Sequence, residues 1–176
     1  MEFGMETQRI AITGPESTGK STLARTLAQR CGGLWVPEYA REWLEVRKGT
    51  YTAEDVETMA RGQMASEAEF AAQHPHWLFC DTDLLVIRVW LEYRFGDCPQ
   101  WIIEGSRGLQ YHQTLLMDID LPWEPDPLRE HPQARAELLD RYETHLKAMQ
   151  RPYVKISGTH QARVEAALKA IGWGNR

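Results

Sequence analysis

The stretch Gly14-Pro15-Glu16-Ser17-Thr18-Gly19-Lys20-Ser21 constrains the fold more than any other feature of the chain. It fits the pattern G-x-x-x-x-G-K-[ST]. It follows the apolar run Arg9 to Gly14 and precedes Leu23, Leu27 and Cys31 at helical spacing. Strand, bare turn and helix in that order form a pocket for an anion. Glycines let backbone N–H groups turn inward with no Cβ in the way, and the helix N-terminus adds a favourable dipole. The loop residues are Gly14, Glu16, Ser17, Thr18, Gly19, Lys20, Ser21 and Thr22. Among them Lys20 is expected to reach β- and γ-phosphates and Ser21 to hold Mg²⁺ through its hydroxyl. An ordinary glycine turn does not account for the lysine, the hydroxyls and both flanking elements together. The expected ligands are ATP and Mg²⁺.

The remaining pattern supplies a matching architecture. "GLWVPE" reads as a short second strand, "HWLFCD" (His76 to Asp81) as a third, "TLLMDIDLP" as a fourth and "PYVKIS" as a fifth. The third strand is apolar throughout, as a strand buried on both faces must be. Helical patterns lie between the strands. One runs from "YTAEDV" to "AAQH", with Thr52 and Asp55 spaced as a capping box. Others are "DLLVIRVWLEYRF", a helix over "HPQARAELLDRYETHLKAMQ" with Ala134, Leu138, Tyr142, Leu146 and Met149 on one face, and a closing "HQARVEAALKAI". Alternating strands and helices imply βαβ units. The expected fold is α/β: a P-loop NTPase/kinase three-layer sandwich with a five-stranded parallel sheet and a helical or loop lid at about 122–135. The chain reads as one domain, with residues 1–8 standing outside the fold.

Composition narrows the function classes. The 176 residues suffice for one domain with a sizeable core, and 43% are apolar. A net charge of −5 disfavours a nucleic-acid partner, because phosphate backbones are met by basic faces. Cys31, Cys80 and Cys98 are far apart and odd in number, which suits reduced thiols and a cytoplasmic location. No apolar run approaches a membrane span, and the first residues lack the apolar centre of a signal peptide. No membrane partner is expected; homo-oligomerisation stays open.

In parallel α/β sheets, ligands bind beyond the carboxyl ends of the strands. Asp81 ends the third strand and is expected to organise Mg²⁺ or to accept a proton from an attacking hydroxyl. Asp83 is a substrate ligand, the cap of the next helix, or both. After the second strand come Glu38, Tyr39, Arg41 and Glu42. They are either an acceptor-binding cluster, with Glu38 on hydroxyls and Arg41 on a phosphate or carboxylate, or a solvated helix start. After the fourth strand, Asp120 to Arg135 carries four prolines and the arginines 129 and 135. A rigid segment of that kind suits a lid whose Arg129 or Arg135 neutralises charge on a transferred phosphoryl group. The alternative is a surface loop. Trp123 is either an anchor of this lid or a stacking surface. His112, His131 and His145 have no metal-ligand spacing and read as surface or lid residues.

Together, "GPESTGKSTL", "VPEYARE", "ARGQ", "CDTD" and "DIDLPWEPDPLREHPQAR" resemble the ribosylnicotinamide kinase domain of NadR-type proteins. The resemblance runs from about Arg9 to Ile171. It implies transfer of the ATP γ-phosphate to the 5′-hydroxyl of nicotinamide riboside. Lys20 and Ser21 then match the phosphate and Mg²⁺ positions, and Asp81 the acidic strand end. Glu38, Tyr39 and Arg41 match the substrate-side motif, and Asp126, Arg129 and Arg135 the lid. Longer members also carry a nucleotidyltransferase domain and sometimes a DNA-binding helix-turn-helix. These residues leave room for neither and contain no H-x-G-H, so adenylyl transfer and repression are not expected of them. Some members place a tryptophan before the Glu-Tyr pair, where Pro37 stands here; Tyr39, Trp43 and Trp123 are the candidate replacements.

Two other readings fit the phosphate loop. One is a kinase of another nucleoside, a nucleoside monophosphate or a vitamin alcohol such as thiamine. The other is a regulatory nucleotide-binding switch, which explains neither the acceptor-side cluster nor the lid arginines.

Overall fold

The structure, a computed structural model, describes residues 6–108 and 110–174. Five strands, β1 (Gln8–Thr13), β2 (Leu34–Val36), β3 (Trp77–Asp81), β4 (Gln113–Met117) and β5 (Tyr153–Ile156), form one sheet in the order β2-β3-β1-β4-β5. Every pairing is parallel, with Ile12 beside Asp81 at the β1–β3 edge. Seven helices connect them: α1 (Lys20–Cys31), α2 (Tyr39–Val46), α3 (Ala53–Ala71), α4 (Leu84–Phe95), α5 (Gln100–Gly108), α6 (Arg135–Ala148) and α7 (His160–Ala170).

The period-2 alternation of the strands divides the core into two layers. Ile10, Ile12, Phe79, Leu115 and Met117 pack with Leu23 and Leu27 of α1 and Leu168 of α7 on one face. Leu116 packs with Leu85 and Val89 of α4 and Leu139 and Leu146 of α6 on the other. Each fully buried aliphatic side chain contributes about 2 kcal/mol, so these two layers dominate stability. A third cluster joins α3, α4 and α5 through Val56, Ile87, Leu91 and Ile102. The result is the expected three-layer sandwich.

At the centre of the sheet, α1 leaves β1 toward one face while α4 leaves β3 toward the other. The crevice between those two strand ends is where a ligand can enter such a sheet. It brings together Lys20 and Ser21 at the start of α1 and Asp81 at the end of β3.

Several boundaries differ from expectation. Gln8 already pairs in β1, while residues 1–5 lie outside the described residues. β3 starts at Trp77 and β4 stops at Met117, because Asp118 folds back to accept from its neighbour's amide, Ile119, at 2.8 Å and from Ser157 at 2.7 Å. The expected capping box of α3 is present: Thr52 N donates to Asp55 at 2.9 Å, and Asp55 N donates to Thr52 at 3.3 Å. α5 was not anticipated. Among the described residues no helix is long and apolar enough to cross a membrane.

Candidate active site

The loop between β1 and α1 is shaped by two backbone positions. Gly14 adopts φ 135°, and a Cβ there would meet the Met117 carbonyl oxygen at 3.0 Å. Gly19, at φ 81°, caps α1 in the left-handed region. Thr18 turns its hydroxyl inward to the Pro15 carbonyl at 2.8 Å, bracing the curve. Lys20 Nζ donates to the Gly14 and Pro15 carbonyls at 2.9 and 2.8 Å, so the ammonium lies folded across the loop it serves. Residues Glu16 to Thr22, with Asp81, Arg129 and Arg163, line a cleft of about 760 Å³. That volume is within the range of small-molecule sites.

Asp81 is 1% exposed, and neither of its carboxylate oxygens has a hydrogen-bond partner. Burial, reinforced by the negative charge of Glu38, pushes its carboxyl up to about 6. The Ser21 hydroxyl, Lys20 and Arg25 oppose this more weakly; Ser21 is close, but outside hydrogen-bonding geometry. An unsatisfied buried carboxylate facing a phosphate loop is the mark of a site whose partner arrives with the ligand. It fits Mg²⁺, which takes one or two protein ligands and completes its shell with phosphate oxygens and water. Among the described residues no cluster of three His, Cys, Asp or Glu could cage a metal, and this cation requires none.

Of the two readings of Asp83, the helix cap is observed and the substrate ligand is not. Thr82 is held at φ 82° and donates its amide to the Ile12 carbonyl at 3.1 Å, which redirects the chain after Asp81. Asp83 then points into the core. It accepts from Thr13 at 3.1 Å, from Arg151 at 2.8 Å and from the Val86 amide at 3.4 Å, and its side chain is fully buried. It is a helix cap and a buried ion-pair partner, and it does not face the cleft.

The segment 118–134 contains neither helix nor strand and lies over the phosphate loop. Glu124 N donates to Ser17 Oγ at 2.8 Å, and the amides of Glu130 and His131 each donate to Glu16 at 3.2 Å. Glu16 therefore faces the lid, and burial raises its carboxyl above the usual range despite those two donors. Arg129 donates to Ser17 Oγ at 3.3 Å and to the Glu124 carbonyl at 2.5 Å. Arg135, the first residue of α6, donates to the Leu121 carbonyl at 2.8 Å and the Ser17 carbonyl at 3.4 Å. Both lid arginines thus sit on the phosphate loop.

Glu38 sits at the N-terminal boundary of α2 and lines both the cleft and a smaller cavity of about 110 Å³. That cavity lies between α2, α4, α6 and the lid, with Lys20 and Glu38 at one end and Tyr51, Trp90 and Tyr142 along its walls. Tyr51 and Trp90 meet edge to face at 5.0 Å. Trp90 Nε1 donates to the Tyr51 hydroxyl at 3.0 Å, and that hydroxyl donates to the Glu130 carboxylate. Arg41 reaches across to Asp126 in the lid at 2.6 Å, while Asp126 also accepts from the Leu128 amide at 2.9 Å. Those contacts, the amide first and then the guanidinium, hold the Asp126 carboxyl below its usual range.

The candidate aromatic residues land elsewhere. The Tyr39 ring packs on α3, so tightly that a Cβ at Gly62 would come within 2.3 Å of it. Trp43 lies under the Arg47 guanidinium at 4.2 Å, and Trp123 under that of Arg135 at 5.7 Å. None of the three lines the cleft or the cavity; Trp35, Tyr51 and Trp90 do. His145 is neither a surface nor a lid residue: half-buried on α6, it pairs with Glu92 at 2.6 Å. Sequence reasoning also passed over Arg163, which is buried beside the phosphate loop. A tryptophan or arginine inside an amphipathic helix carries no local sign of what it faces.

The fold has solved counterparts. A NadR protein in complex with NR superposes with a TM-score of 0.78 at 20% identity, over 95% of this chain and 50% of that one. A NadR protein in complex with NAD and AMP-PNP gives 0.76 at 20% identity, with the same coverage. A deoxyadenosine kinase from M. mycoides with bound dCTP gives 0.58 at 14% identity, over 94% of this chain and 99% of that one. A thymidylate kinase from Ehrlichia chaffeensis gives 0.66 at 14% identity, over 94% and 97%. The chain spans about half the length of the NadR chains it matches. No curated protein sequence matches it. An AAA domain family model matches residues 9–163, from β1 through the phosphate loop and lid to α7. The chain therefore belongs to this AAA domain family, and it carries the fold of P-loop nucleoside kinases.

Proposed function

We propose that the protein is an ATP-dependent kinase that transfers the γ-phosphoryl group to the 5′-hydroxyl of nicotinamide riboside, giving nicotinamide mononucleotide. The observation that carries this reading is a pair of adjacent spaces that share Glu16, Lys20, Glu38 and Leu44 in their walls. The phosphate loop and Asp81 bound the wide cleft, and the lid borders the smaller, more apolar cavity. A nucleotide switch needs only the cleft. The likeness to NadR with bound NR, read as nicotinamide riboside, supports the acceptor.

In this reading the loop amides and Lys20 hold the β- and γ-phosphates. Lys20 leaves the Gly14 and Pro15 carbonyls to do so. Ser21 and Asp81 would hold Mg²⁺, which would supply neutralisation of phosphate charge. Glu38 lines both spaces and orients the acceptor hydroxyl; with Asp81 committed to the metal, Glu38 is the carboxylate that receives its proton. Arg129 and Arg135 swing from the Ser17 hydroxyl and carbonyl toward the transferred group and neutralise its charge. Tyr51 and Trp90 wall the space for the acceptor's ring. The lid excludes water, so transfer outruns hydrolysis.

A nucleoside with another base is the second reading, favoured by the likeness to deoxyadenosine kinase over 94% of the chain. ATP consumption with Mg²⁺ across nicotinamide riboside, other nucleosides, nucleoside monophosphates and thiamine separates the two. The highest turnover should fall on nicotinamide riboside. Faster turnover of another acceptor would overturn that assignment and keep the kinase.

A further inference from the structure

We infer that Arg163 on α7, locked to Asp120, is a positioning residue that sets the curvature of the phosphate loop and thereby the affinity for the nucleotide. The inference rests on reading the wide cleft as the triphosphate site.

Arg163 is 2% exposed and touches three separate loops. Its Nη1 donates to the Thr18 carbonyl inside the phosphate loop at 2.9 Å. Its Nε donates to the Gly158 carbonyl after β5 at 2.8 Å. Its Nη2 donates to the Asp118 carbonyl at the root of the lid at 3.2 Å and pairs with the Asp120 carboxylate. Asp120 in turn accepts from the Gly158 amide at 2.5 Å, which closes the ring of contacts.

The Thr18 contact gives this cluster its functional weight. Thr18 precedes Gly19, whose left-handed backbone aims the next amides into the cleft. A carbonyl at Thr18 that is tied to Arg163 keeps its own peptide oxygen away from incoming phosphate, which is an anion. The Thr18 hydroxyl braces the loop on the Pro15 carbonyl, and Arg163 fixes the Thr18 carbonyl from α7. Only a guanidinium has enough donors, in a fixed fork, to satisfy three carbonyls and one carboxylate at once. An ammonium at the same site cannot span them. Asp120 fixes the guanidinium's orientation, so loss of its charge loosens the same carbonyl contact less severely.

The test compares Arg163→Lys and Asp120→Asn with the unchanged chain and with Lys20→Ala. Three quantities are read: the ATP dissociation constant by calorimetry with Mg²⁺ and no acceptor, the acceptor KM at saturating ATP, and the melting temperature. Arg163→Lys should weaken ATP by about tenfold or more, as expected for losing charge-assisted contacts. The acceptor KM should stay within about twofold. Asp120→Asn should move ATP affinity in the same direction by a smaller factor, and the double variant should fall short of the product of the two effects. A merely structural role would lower the melting temperature and weaken both ligands alike, and that result would overturn the inference. So would unchanged ATP affinity in folded variants. If Arg163→Lys does not fold, Asp120→Asn, at a half-exposed position, carries the test alone. If Lys20→Ala also leaves ATP binding unchanged, the reading of the cleft fails and the inference falls with it. If Lys20→Ala weakens ATP and the Arg163 and Asp120 variants do not, the inference fails by itself.

Discussion

Arg41 of α2 and Asp126 of the lid are joined by a 2.6 Å ion pair across the mouth of the cleft. It links α2 to the segment 118–134, 85 residues away in sequence. Its worth to global stability is small, because Arg41 remains 44% exposed and solvent screens the pair. In the proposed function it sets the position of the lid. Asp126→Ala should change stability by less than about 1 kcal/mol while raising the acceptor KM several-fold. Steady-state kinetics with each substrate varied in turn checks this; a rise confined to the ATP KM would place Asp126 on the nucleotide side.

Tyr51 joins Glu130 of the lid to Trp90 of the cavity wall. Its hydroxyl accepts from Trp90 and donates to Glu130, and burial, with the Glu130 carboxylate adding to it, pushes the phenol up to about 12. It therefore stays protonated and keeps donating throughout the physiological range. Tyr51→Phe keeps the ring and removes both hydrogen bonds. The acceptor KM should rise several-fold with the ATP KM unchanged. Equal loss for both substrates would mean that the pair serves packing alone.

Asp81 sets a pH dependence of stability in nucleotide-free protein with the metal chelated. Its carboxyl is raised from 3.8 to about 6, first by burial and next by Glu38. The native state therefore binds the proton more tightly than the unfolded chain, so stability falls as pH rises between those values and stays lowered above about 6. Asp81→Asn removes that penalty. It should raise the melting temperature at pH 7.5, by a stability increment on the order of 1–3 kcal/mol, and flatten the profile below it. It should also abolish the stabilisation that Mg²⁺ and ATP together confer on the unaltered protein. A lower melting temperature at pH 7.5 would contradict an unpaired charge at this position.

Lys20→Ala removes an ammonium whose contacts here are two carbonyls of its own loop. Those contacts are replaceable by water at the edge of the cleft, so the fold should survive. Phosphoryl transfer should drop by about 100-fold or more, the scale of losing one preorganised charge stabiliser. Circular dichroism with single-turnover kinetics separates the two effects.

The layers of the fold and the centre of the site were legible because their signals are local. The phosphate loop is one contiguous run between a strand and a helix, and Asp81 ends an apolar run whose depth in the sheet follows from its composition. The cap role of Asp83 was readable, but its burial against Arg151, 68 residues distant in sequence, was not, because its neighbour's left-handed backbone, which no composition reveals, sets that direction. The fourth strand reads too long because "DIDLP" continues its alternation, although Asp118 folds back on Ile119 and Ser157. Tyr51, Trp90 and Arg163 acquire their positions only when α4, α7 and the lid converge. Long-range packing decides which face of a helix meets a cavity, and nothing in the local pattern encodes it.

The central claim is best tested by the fate of the phosphoryl group. Protein, ATP, Mg²⁺ and nicotinamide riboside are incubated together, and the products are followed by phosphorus NMR and mass spectrometry. The account predicts nicotinamide mononucleotide bearing a 5′-phosphate, formed in equal amount to ADP. ADP with inorganic phosphate and unaltered riboside would contradict it, and would mark the chain as a nucleotide hydrolase or switch.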